Sequence, residues 1–356
     1  MKRNSLWFTC LVVLLALQAC GPAVGPAAPV PTSAPATEEP ALATLTPEPV
    51  DLKVAAFALI SHAPVFVASA EGYFAEQGLN VEPLVFTAGQ TEIFTALLQG
   101  EADAMAFTLS TAHLSAMAQG SPIKIVADIN YLDPNAECAN SAWLARTDWL
   151  ENGTLSGPAA VPGMKMAFAT GTTLELGAER LLEAGGLTAA DVEFTEFRNS
   201  AAMIEALRAG QLDALPATEP FVTRALAGGG IGIWVPYSEL MPNYSNTFIL
   251  FGPSMLARDP QVGARFMTAI LKALRQLQQG KTERNVEIIS EYTQMTPEEV
   301  RQICLPSLRA DGKVNTDGIM EFQEWAVSKG YLDAVVPLET LWDPQYLEQA
   351  AEVLGP

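Results

Sequence analysis

One short unit occurs twice in this chain, and this repeat constrains the fold more than any other feature. Residues 97–107 read LLQGEADAMAF and residues 207–217 read LRAGQLDALPA. The two segments share four residue types in register, namely Leu97, Gly100, Asp103 and Ala104 with Leu207, Gly210, Asp213 and Ala214. Each copy ends an amphipathic helix at a glycine, which accepts the left-handed conformation after a last helical turn, and leads into a short buried strand. Such turns are common in α/β proteins, so it is the similar elements around both copies that predict two α/β lobes.

The chain alternates strands and helices from Asp51 onward. Strand-like segments such as DLKVAAFAL, LNVEPLVF, DAMAF and IKIVADI are separated by helical segments with glycine stops, and the pattern starts again at MKMAFA. This alternation predicts a mainly parallel sheet flanked by helices in each lobe, and therefore an α/β fold. Beyond NTFILFG the pattern is mostly helical, which predicts extra C-terminal helices packed against the lobes.

The N-terminal segment predicts export and a lipid anchor. Lys2 and Arg3 precede a short apolar run, and LQAC places a small residue directly before Cys20. Residues 1–19 are therefore predicted to be a lipoprotein signal peptide and Cys20 the lipid attachment site, with a secretory signal and a chance cysteine as the alternative. Residues 20–50, rich in Pro, Ala and Thr, are predicted to be a linker. The folded part would then be extracytoplasmic, lipid-anchored to the outer face of the cell membrane or in the periplasm.

Composition and motifs favour binding over catalysis. The formal net charge is −20 and no cluster of Lys and Arg occurs, so nucleic acid is not an expected partner. The only histidines are His62 and His113, too few for a histidine-built metal site, and no G-x-S-x-G motif is present. We therefore expect no catalytic residues, no metal and no cofactor.

Two cysteines remain in the predicted folded part. Cys10 lies in the signal and Cys20 is the predicted anchor, which leaves Cys138 and Cys304. In an oxidising compartment they can form a disulfide, but pairing requires a Cα separation that the sequence does not give. A disulfide and two free thiols both stay open at this point.

Three segments carry a family resemblance, which covers roughly residues 51–260: APVFVASAEGYFAEQGLNVEPLVFTAGQTEIFTALLQGEADAMAFTLST, GMKMAFATGTTLELGAERLLEAGGL and LRAGQLDALPATEPF. They resemble the solute-binding proteins of bacterial ABC importers. The most similar groups are the nitrate, sulfonate and taurine binders and the thiamine-pyrimidine (NMT1/THI5-like) and riboflavin binders. The pattern is specific for the superfamily and does not identify the ligand.

The resemblance implies a two-lobed Venus-flytrap fold, the type II periplasmic binding protein. Residues 51–145 and 246–356 would form lobe 1 and residues 146–245 lobe 2, with hinges near Trp143 and Asn246. A small-molecule ligand would be held in the cleft of a monomer, the lobes would close about the hinge, and a membrane permease would recognise the closed form. A sensory role instead of transport stays open.

Candidate ligand-binding residues follow from the predicted sheets. Ligands of open α/β sheets bind beyond the carboxyl ends of the strands, where helix N-termini present free N–H groups. The residues in those loops and at the crossings are Phe57, Ser61, His62, Gln90, Thr108, Ser110, Thr111, Thr170, Gly171, Thr172, Thr173, Glu219, Phe221 and Tyr244. The hydroxyl residues among them could instead serve only as helix caps.

The loop composition favours an aromatic heterocycle such as riboflavin or a thiamine-type pyrimidine. The loops contain no Lys or Arg, and aromatic residues are frequent near the cleft, namely Phe57, Phe107, Tyr131, Trp143, Phe221, Tyr237 and Tyr244. Aromatic walls suit stacking on a flat ring, and Glu219 could accept hydrogen bonds from ring N–H groups. A sulfonate, taurine or nitrate held by helix N-termini is the alternative, as is a pyrimidine-synthase-like enzyme on the same fold.

Overall fold

The computed structural model describes residues 49–86, 90–196 and 199–355. The predicted signal peptide, Cys20 and the linker up to residue 48 lie outside the described residues. In the described part, ten strands form two five-stranded mixed sheets. The first sheet consists of β1 (Val50–Phe57), β2 (Leu79–Phe86), β3 (Ala104–Phe107), β4 (Lys124–Tyr131) and β10 (Ser245–Phe251), in the order β2-β1-β3-β10-β4.

The second sheet repeats this arrangement. It consists of β5 (Ser141–Arg146), β6 (Lys165–Phe168), β7 (Glu193–Glu196), β8 (Ala214–Thr218) and β9 (Ile231–Pro236), in the order β7-β6-β8-β5-β9. Each sheet contains one antiparallel strand next to the outermost position, β10 between β3 and β4 and β5 between β8 and β9. The matching orders confirm the two α/β units that the sequence repeat predicts.

The chain passes from the first sheet to the second between Tyr131 and Ser141, and it returns between Pro236 and Ser245. The first crossing therefore precedes the predicted one near Trp143. Residues 141–146, which the sequence assigns to lobe 1 as far as residue 145, form a strand that pairs with both β8 and β9. The strand belongs to the second sheet because β8 and β9 pair with it, one along each edge, and its apolar side chains are buried there.

Helices flank both sheets. In the described residues they are α1 (Ala63–Ala70), α2 (Tyr73–Glu76), α3 (Gln90–Leu98), α4 (Thr111–Ala118), α5 (Thr147–Glu151), α6 (Thr173–Ala184), α7 (Ser200–Arg208), α8 (Phe221–Ala227), α9 (Tyr237–Leu240), α10 (Pro253–Leu256), α11 (Pro260–Leu277), α12 (Glu283–Thr293), α13 (Pro297–Gln302), α14 (Thr316–Ser328), α15 (Leu338–Leu341) and α16 (Gln345–Leu354). The long helix α11 packs with α1 and α16 against the first sheet, and α14 contacts both α4 and α6. None of the described helices is long and apolar enough to cross a membrane.

The repeated unit has the same role in both sheets. Asp103 accepts a hydrogen bond from the backbone N–H of Lys53 in β1 (2.9 Å), and Asp213 accepts one from the backbone N–H of Lys165 in β6 (2.9 Å). The backbone N–H of each aspartate donates in return to the carbonyl of the same lysine (2.8 Å in both cases). Each buried carboxylate thus holds the backbone of a neighbouring strand, β1 in the first sheet and β6 in the second, which is why the sequence repeats an aspartate there.

The C-terminal segment is covalently joined to the first crossing. Cys138, in the segment between β4 and β5, forms a disulfide with Cys304, which follows α13, with the Cα atoms 5.9 Å apart. Of the two possibilities that the sequence leaves open, the structure has the disulfide.

Candidate functional site

Loops from the two sheets meet directly at one place. The backbone N–H of Thr111 donates to the carbonyl of Gly171 (3.0 Å), and Ser110 forms an antiparallel bridge with Thr172. Ser110 and Thr172 precede α4 and α6, and both have extended backbones that allow this pairing. The N-termini of one helix from each sheet therefore face each other. We call the space around this contact, next to residues 57–62, 107–111 and 169–173, the inter-sheet cleft.

Gly171 is the residue that allows the close approach. Its φ angle is +71°, and a Cβ atom at this position would lie 2.6 Å from Thr111 Oγ1. Real Cβ atoms do not approach a hydroxyl oxygen this closely, and the left-handed backbone disfavours any L side chain. The conformation and the contact both require glycine.

Aromatic rings pack together on the first-sheet side of the cleft. The ring centroids of Phe57 and Phe107 are 5.8 Å apart, and His113 lies 4.5 Å from Phe107 and 4.4 Å from Phe94 in edge-to-face geometry. His62 lies 5.8 Å from Phe57. These five residues form the aromatic cluster, in which Phe94 is half-buried and the other four are buried.

Both histidines are neutral and fix the loops in which they lie. Nδ1 of His62 accepts a hydrogen bond from the backbone N–H of Phe57 (3.0 Å), and Nδ1 of His113 accepts one from the backbone N–H of Ser110 (3.0 Å). Burial lowers the pKa of His62 to about 3 and the pKa of His113 to about 4. At neutral pH neither imidazole supplies a positive charge to the cleft.

Carboxylates surround the second-sheet side. Glu175 accepts a hydrogen bond from the backbone N–H of Gly171 (2.6 Å) and from the hydroxyl of Tyr331 (2.9 and 3.0 Å to its two oxygens). Glu196 accepts one from Thr170 Oγ1 (2.8 Å). Burial, together with the neighbouring Glu175 carboxylate, raises the pKa of the Tyr331 hydroxyl to about 12. This side of the cleft is therefore polar and negatively charged.

Sequence reasoning did not single out Glu175, Glu196 or Tyr331. A signal existed for Glu175, because it stands three residues after the helix cap Thr172 in the pattern T-x-x-E. Tyr331 comes from the C-terminal segment after α14, and no local pattern connects it with the first turn of α6.

Several predicted residues take part in the contact between the sheets or cap its helices. Thr172 Oγ1 donates to the carbonyl of Ala169 (2.7 Å) and accepts from the backbone N–H of Leu174 (3.2 Å), so it caps α6. Thr173 is buried in the first turn of α6, and Thr108 is half-buried just after β3. Ser61 lies in the 3-10 turn Ile60–His62. Gln90 begins α3, but its side chain lies outside the described part.

Three predicted residues lie away from the Thr111–Gly171 contact. The Glu219 carboxylate accepts hydrogen bonds from the backbone N–H and hydroxyl of Thr223 (3.0 and 2.8 Å) and from the backbone N–H of Cys304 (2.9 Å). Phe221 packs against the core on the other face of the second sheet. Tyr244 is buried, with its ring against Gly318 of α14. Glu219 and Phe221 thus join the second sheet to its own helices and to the C-terminal segment, whereas Tyr244, directly before β10 of the first sheet, packs on α14.

Neither a metal site nor a deep cavity identifies the cleft among the described residues. In the described ranges no group of three or more His, Cys, Asp and Glu side chains is placed to hold a metal ion. A cavity of about 380 Å³ lies elsewhere, beside α11 and α16, and is lined in part by Leu271, Arg275 and Asp311. The cleft is marked instead by the two facing helix N-termini, the aromatic cluster and the carboxylates.

Comparison with known proteins agrees with this architecture. Residues 45–290 match the model of the NMT1-like family. The chain is 28% identical over 283 residues to the riboflavin-binding protein RibY of Chloroflexus aurantiacus, covering 77% of this chain and 74% of that protein. The periplasmic nitrate-binding protein NrtA of Synechocystis PCC 6803 has a similar structure, with a TM-score of 0.69 and 17% identity over 86% of this chain and 89% of that one.

The same fold also occurs in an enzyme. The desulfurization enzyme DSZB matches with a TM-score of 0.62 and 15% identity, covering 86% of this chain and 100% of that one. The predicted two-lobed binding-protein fold and the predicted family resemblance are confirmed by these matches. The fold by itself is compatible with binding and with catalysis.

Proposed function

The chain belongs to the NMT1-like family, and from that premise we propose that it is the substrate-binding component of an ABC importer. Its ligand would be a neutral aromatic heterocycle, with riboflavin as the first candidate. The similarity to RibY supports this ligand class, since RibY is a riboflavin-binding protein. The observation that carries the proposal is the charge and chemistry of the cleft.

A neutral ligand follows from the groups around the cleft. The aromatic cluster forms one side, Glu175 and Glu196 stand on the other, and both histidines are uncharged at neutral pH. A sulfonate or nitrate needs a cation or free N–H groups to offset its charge. The N–H of Gly171 is already bonded to Glu175, and that of Thr111 to the Gly171 carbonyl. A flat uncharged ring avoids this electrostatic cost.

Capture would proceed by closure about the two crossings. In this proposal the Thr111–Gly171 contact belongs to the closed arrangement, in which the lobes would touch beside the bound ligand. A ligand that bridges the aromatic cluster and the second sheet stabilises this arrangement by binding it better than the open one. We also propose that the protein acts as a monomer outside the cytoplasm, attached through a lipid on Cys20, and delivers its ligand to a membrane permease.

Binding of riboflavin to the purified full chain tests the proposal. Riboflavin fluorescence should be quenched on binding, and a hundredfold excess over the dissociation constant should stabilise the protein by about 2.7 kcal/mol. Phe57→Leu removes a ring of the aromatic cluster and should weaken binding about tenfold, which corresponds to about 1.4 kcal/mol. Phe221→Leu is the matched control, because Phe221 packs on the opposite face of the second sheet.

The alternatives predict different results. If nitrate or taurine stabilised the protein and riboflavin had no effect, the ligand class would be an oxyanion and not a heterocycle. Conversion of bound riboflavin into another compound, detected by chromatography after the protein is unfolded, would indicate an enzyme. Recovery of unchanged riboflavin supports the binding function.

A further inference from the structure

One C-terminal segment reaches from the first sheet to the second. We call residues 312–343, which contain α14 and α15, the α14 segment. At its start, the carbonyl of Gly312 accepts a hydrogen bond from the backbone N–H of Asp128 in β4 (2.8 Å). At its end, the backbone N–H of Asp343 donates to the carbonyl of Ile125 in the same strand (3.0 Å). Both ends of the α14 segment are therefore held by the first sheet.

The middle of the α14 segment binds α6 of the second sheet through polar side chains. Glu321, Trp325 and Lys329 are spaced four residues apart, so they lie on one face of α14. Tyr331 follows in the turn after the helix. The pairs are Glu321 with Arg180, Trp325 and Lys329 with Glu179, and Tyr331 with Glu175. The first sheet thus holds α6 through the α14 segment.

The contact of Tyr331 with Glu175 continues into the contact between the cleft loops. The Tyr331 hydroxyl lies 2.9 and 3.0 Å from the two oxygens of Glu175, and it donates to this carboxylate. Glu175 also accepts the backbone N–H of Gly171 (2.6 Å), whose carbonyl accepts the backbone N–H of Thr111 (3.0 Å). Four residues therefore form one hydrogen-bonded chain from the α14 segment through the start of α6 to the start of α4.

Glu175 acts on the cleft loop and not only on its own helix end. The pattern T-x-x-E also opens α13, and there Glu299 accepts the backbone N–H of the cap residue Thr296 (2.9 Å), as in an ordinary capping box. In α6 the glutamate in the same position accepts the N–H of Gly171, the residue before the cap Thr172. This shift by one residue connects the glutamate to the loop that meets Thr111.

The Glu175 carboxylate depends on the donors around it. Glu175 is 7% exposed, and a buried carboxylate that loses a donor keeps its charge away from water at a large cost in free energy. Without the Tyr331 hydroxyl, a turn of this side chain towards solvent becomes favourable, and the N–H of Gly171 then loses its acceptor. Lys329 of the same segment is bonded to Glu179 instead. The hydroxyl is therefore the group with which the α14 segment holds Glu175.

We propose that Tyr331 is a positioning residue for ligand capture, because its hydroxyl holds Glu175 and thereby keeps the Gly171 loop in the conformation that meets Thr111. The first sheet then acts on this loop twice, directly through Thr111 and indirectly through Tyr331. Loss of either contact lowers the fraction of molecules in which the loops are joined, and so raises the apparent dissociation constant. The inference rests on the proposed function, in which the joined loops belong to the ligand-bound form.

Tyr331→Phe in the full chain tests the inference, because it removes the hydroxyl and keeps the ring. The riboflavin dissociation constant should rise about tenfold, as expected for loss of a hydrogen bond to a charged group. Hydrogen exchange of the Gly171 and Thr111 amides, measured with and without riboflavin, should become faster. Lys329→Met is the matched control. It removes another link between the α14 segment and α6, and it should leave the affinity and both amides unchanged.

A double-mutant cycle with Glu175→Gln shows whether Tyr331 acts through Glu175. The amide keeps one acceptor oxygen and loses the other, so Glu175→Gln alone should weaken riboflavin binding. In the double variant with Tyr331→Phe, the affinity loss should be clearly smaller than the product of the two single losses, since both changes break the same chain of hydrogen bonds. A loss equal to that product would mean that the two residues act independently, which overturns the inference.

The remaining outcomes separate the inference from the proposed function. If Tyr331→Phe binds riboflavin like the wild type, or if its two amides exchange at wild-type rates, the inference is overturned and the function stands. An equal loss of affinity in Lys329→Met also overturns it, because the whole contact with α6 would then matter and not the hydroxyl. If the wild type does not bind riboflavin, the proposed ligand is wrong, and amide exchange without ligand alone decides: faster exchange in Tyr331→Phe supports the positioning role, and unchanged exchange overturns it.

Discussion

Replacement of Gly171 by alanine should weaken ligand binding far more than it weakens the fold. The substitution adds one methyl group at the backbone hydrogen bond from Thr111 to Gly171, which joins the α4 and α6 loops. The substitution has two energetic costs. One acts on the folding equilibrium, and the other acts on the closing of the two loops against each other. The backbone strain at φ +71° is present whether or not the loops touch, whereas the 2.6 Å approach to Thr111 Oγ1 exists only when they do.

The two costs can be estimated separately. A non-glycine residue in the left-handed region costs about 1–2 kcal/mol and should appear as a loss of unfolding free energy. Forcing a methyl group into a packed contact costs about 1–3 kcal/mol more. If closure is needed for binding, this second cost lowers the affinity about 5- to 150-fold, because the apparent dissociation constant scales inversely with the binding-competent population.

Gly186 is a matched control for the backbone term. Its φ angle is +67°, and it lies just after α6, whereas Gly171 lies just before it. A Cβ atom at Gly186 would meet no atom within 4 Å. Gly186→Ala should lose a similar unfolding free energy in urea titrations and keep the riboflavin affinity measured by calorimetry. Combining Gly171→Ala with Thr111→Ala removes the hydroxyl that the methyl meets and should restore part of the affinity.

The reasoning would be refuted by one result in particular. If Gly171→Ala and Gly186→Ala bound riboflavin with equal affinity, the Thr111–Gly171 contact would play no part in capture. Small-angle scattering of both variants with ligand gives an independent reading, since only Gly171→Ala should stay more extended than the wild type.

Three further predictions concern stability. Asp103→Ala and Asp213→Ala should each lower the unfolding free energy by about 1–3 kcal/mol in urea titrations, and similar losses are expected because both carboxylates accept the same backbone bond. Replacing Cys138 and Cys304 by serine should cost about 2–4 kcal/mol, measured against the wild type with and without reductant. The pKa of His113 falls to about 4 in the folded chain, below its unfolded value, so its contribution is complete above pH 6.5 and is lost as pH falls towards 4. This loss is at most about 1.4 kcal/mol per pH unit, and His113→Asn should flatten it in melting curves recorded from pH 7 to pH 4.

The sequence predicts well the helix ends and the buried helix faces, because these depend on residues close together in the chain. Gly100 and Gly210 have φ angles of +73° and +70°, as expected for residues that end helices before a turn. The apolar stripe of α11 is buried, with Met267, Ile270 and Leu271 fully inside the core. These positions depend on propensity and periodicity over a few residues, which a single sequence contains.

Long-range placement was beyond the reach of the sequence. The strand Ser141–Arg146 is buried at every residue but the last, a pattern that would suit either sheet and does not say which one the strand joins. Glu175 meets Tyr331 across 156 positions of sequence, and Cys138 meets Cys304 across 166. Only the assembled core sets these distances.

The antiparallel strands impose an order of assembly. The antiparallel strand of the second sheet, β5, precedes both strands that it joins, β8 and β9, so that sheet can form as the chain emerges. The first sheet depends on β10, which lies between β3 and β4 and is made only after the whole second sheet. Until then β3 and β4 have exposed edges, which are sites of mispairing. The first sheet is therefore begun first and completed last. A chain that stops before Ser245 lacks β10, so β4 stays unconnected to β2, β1 and β3.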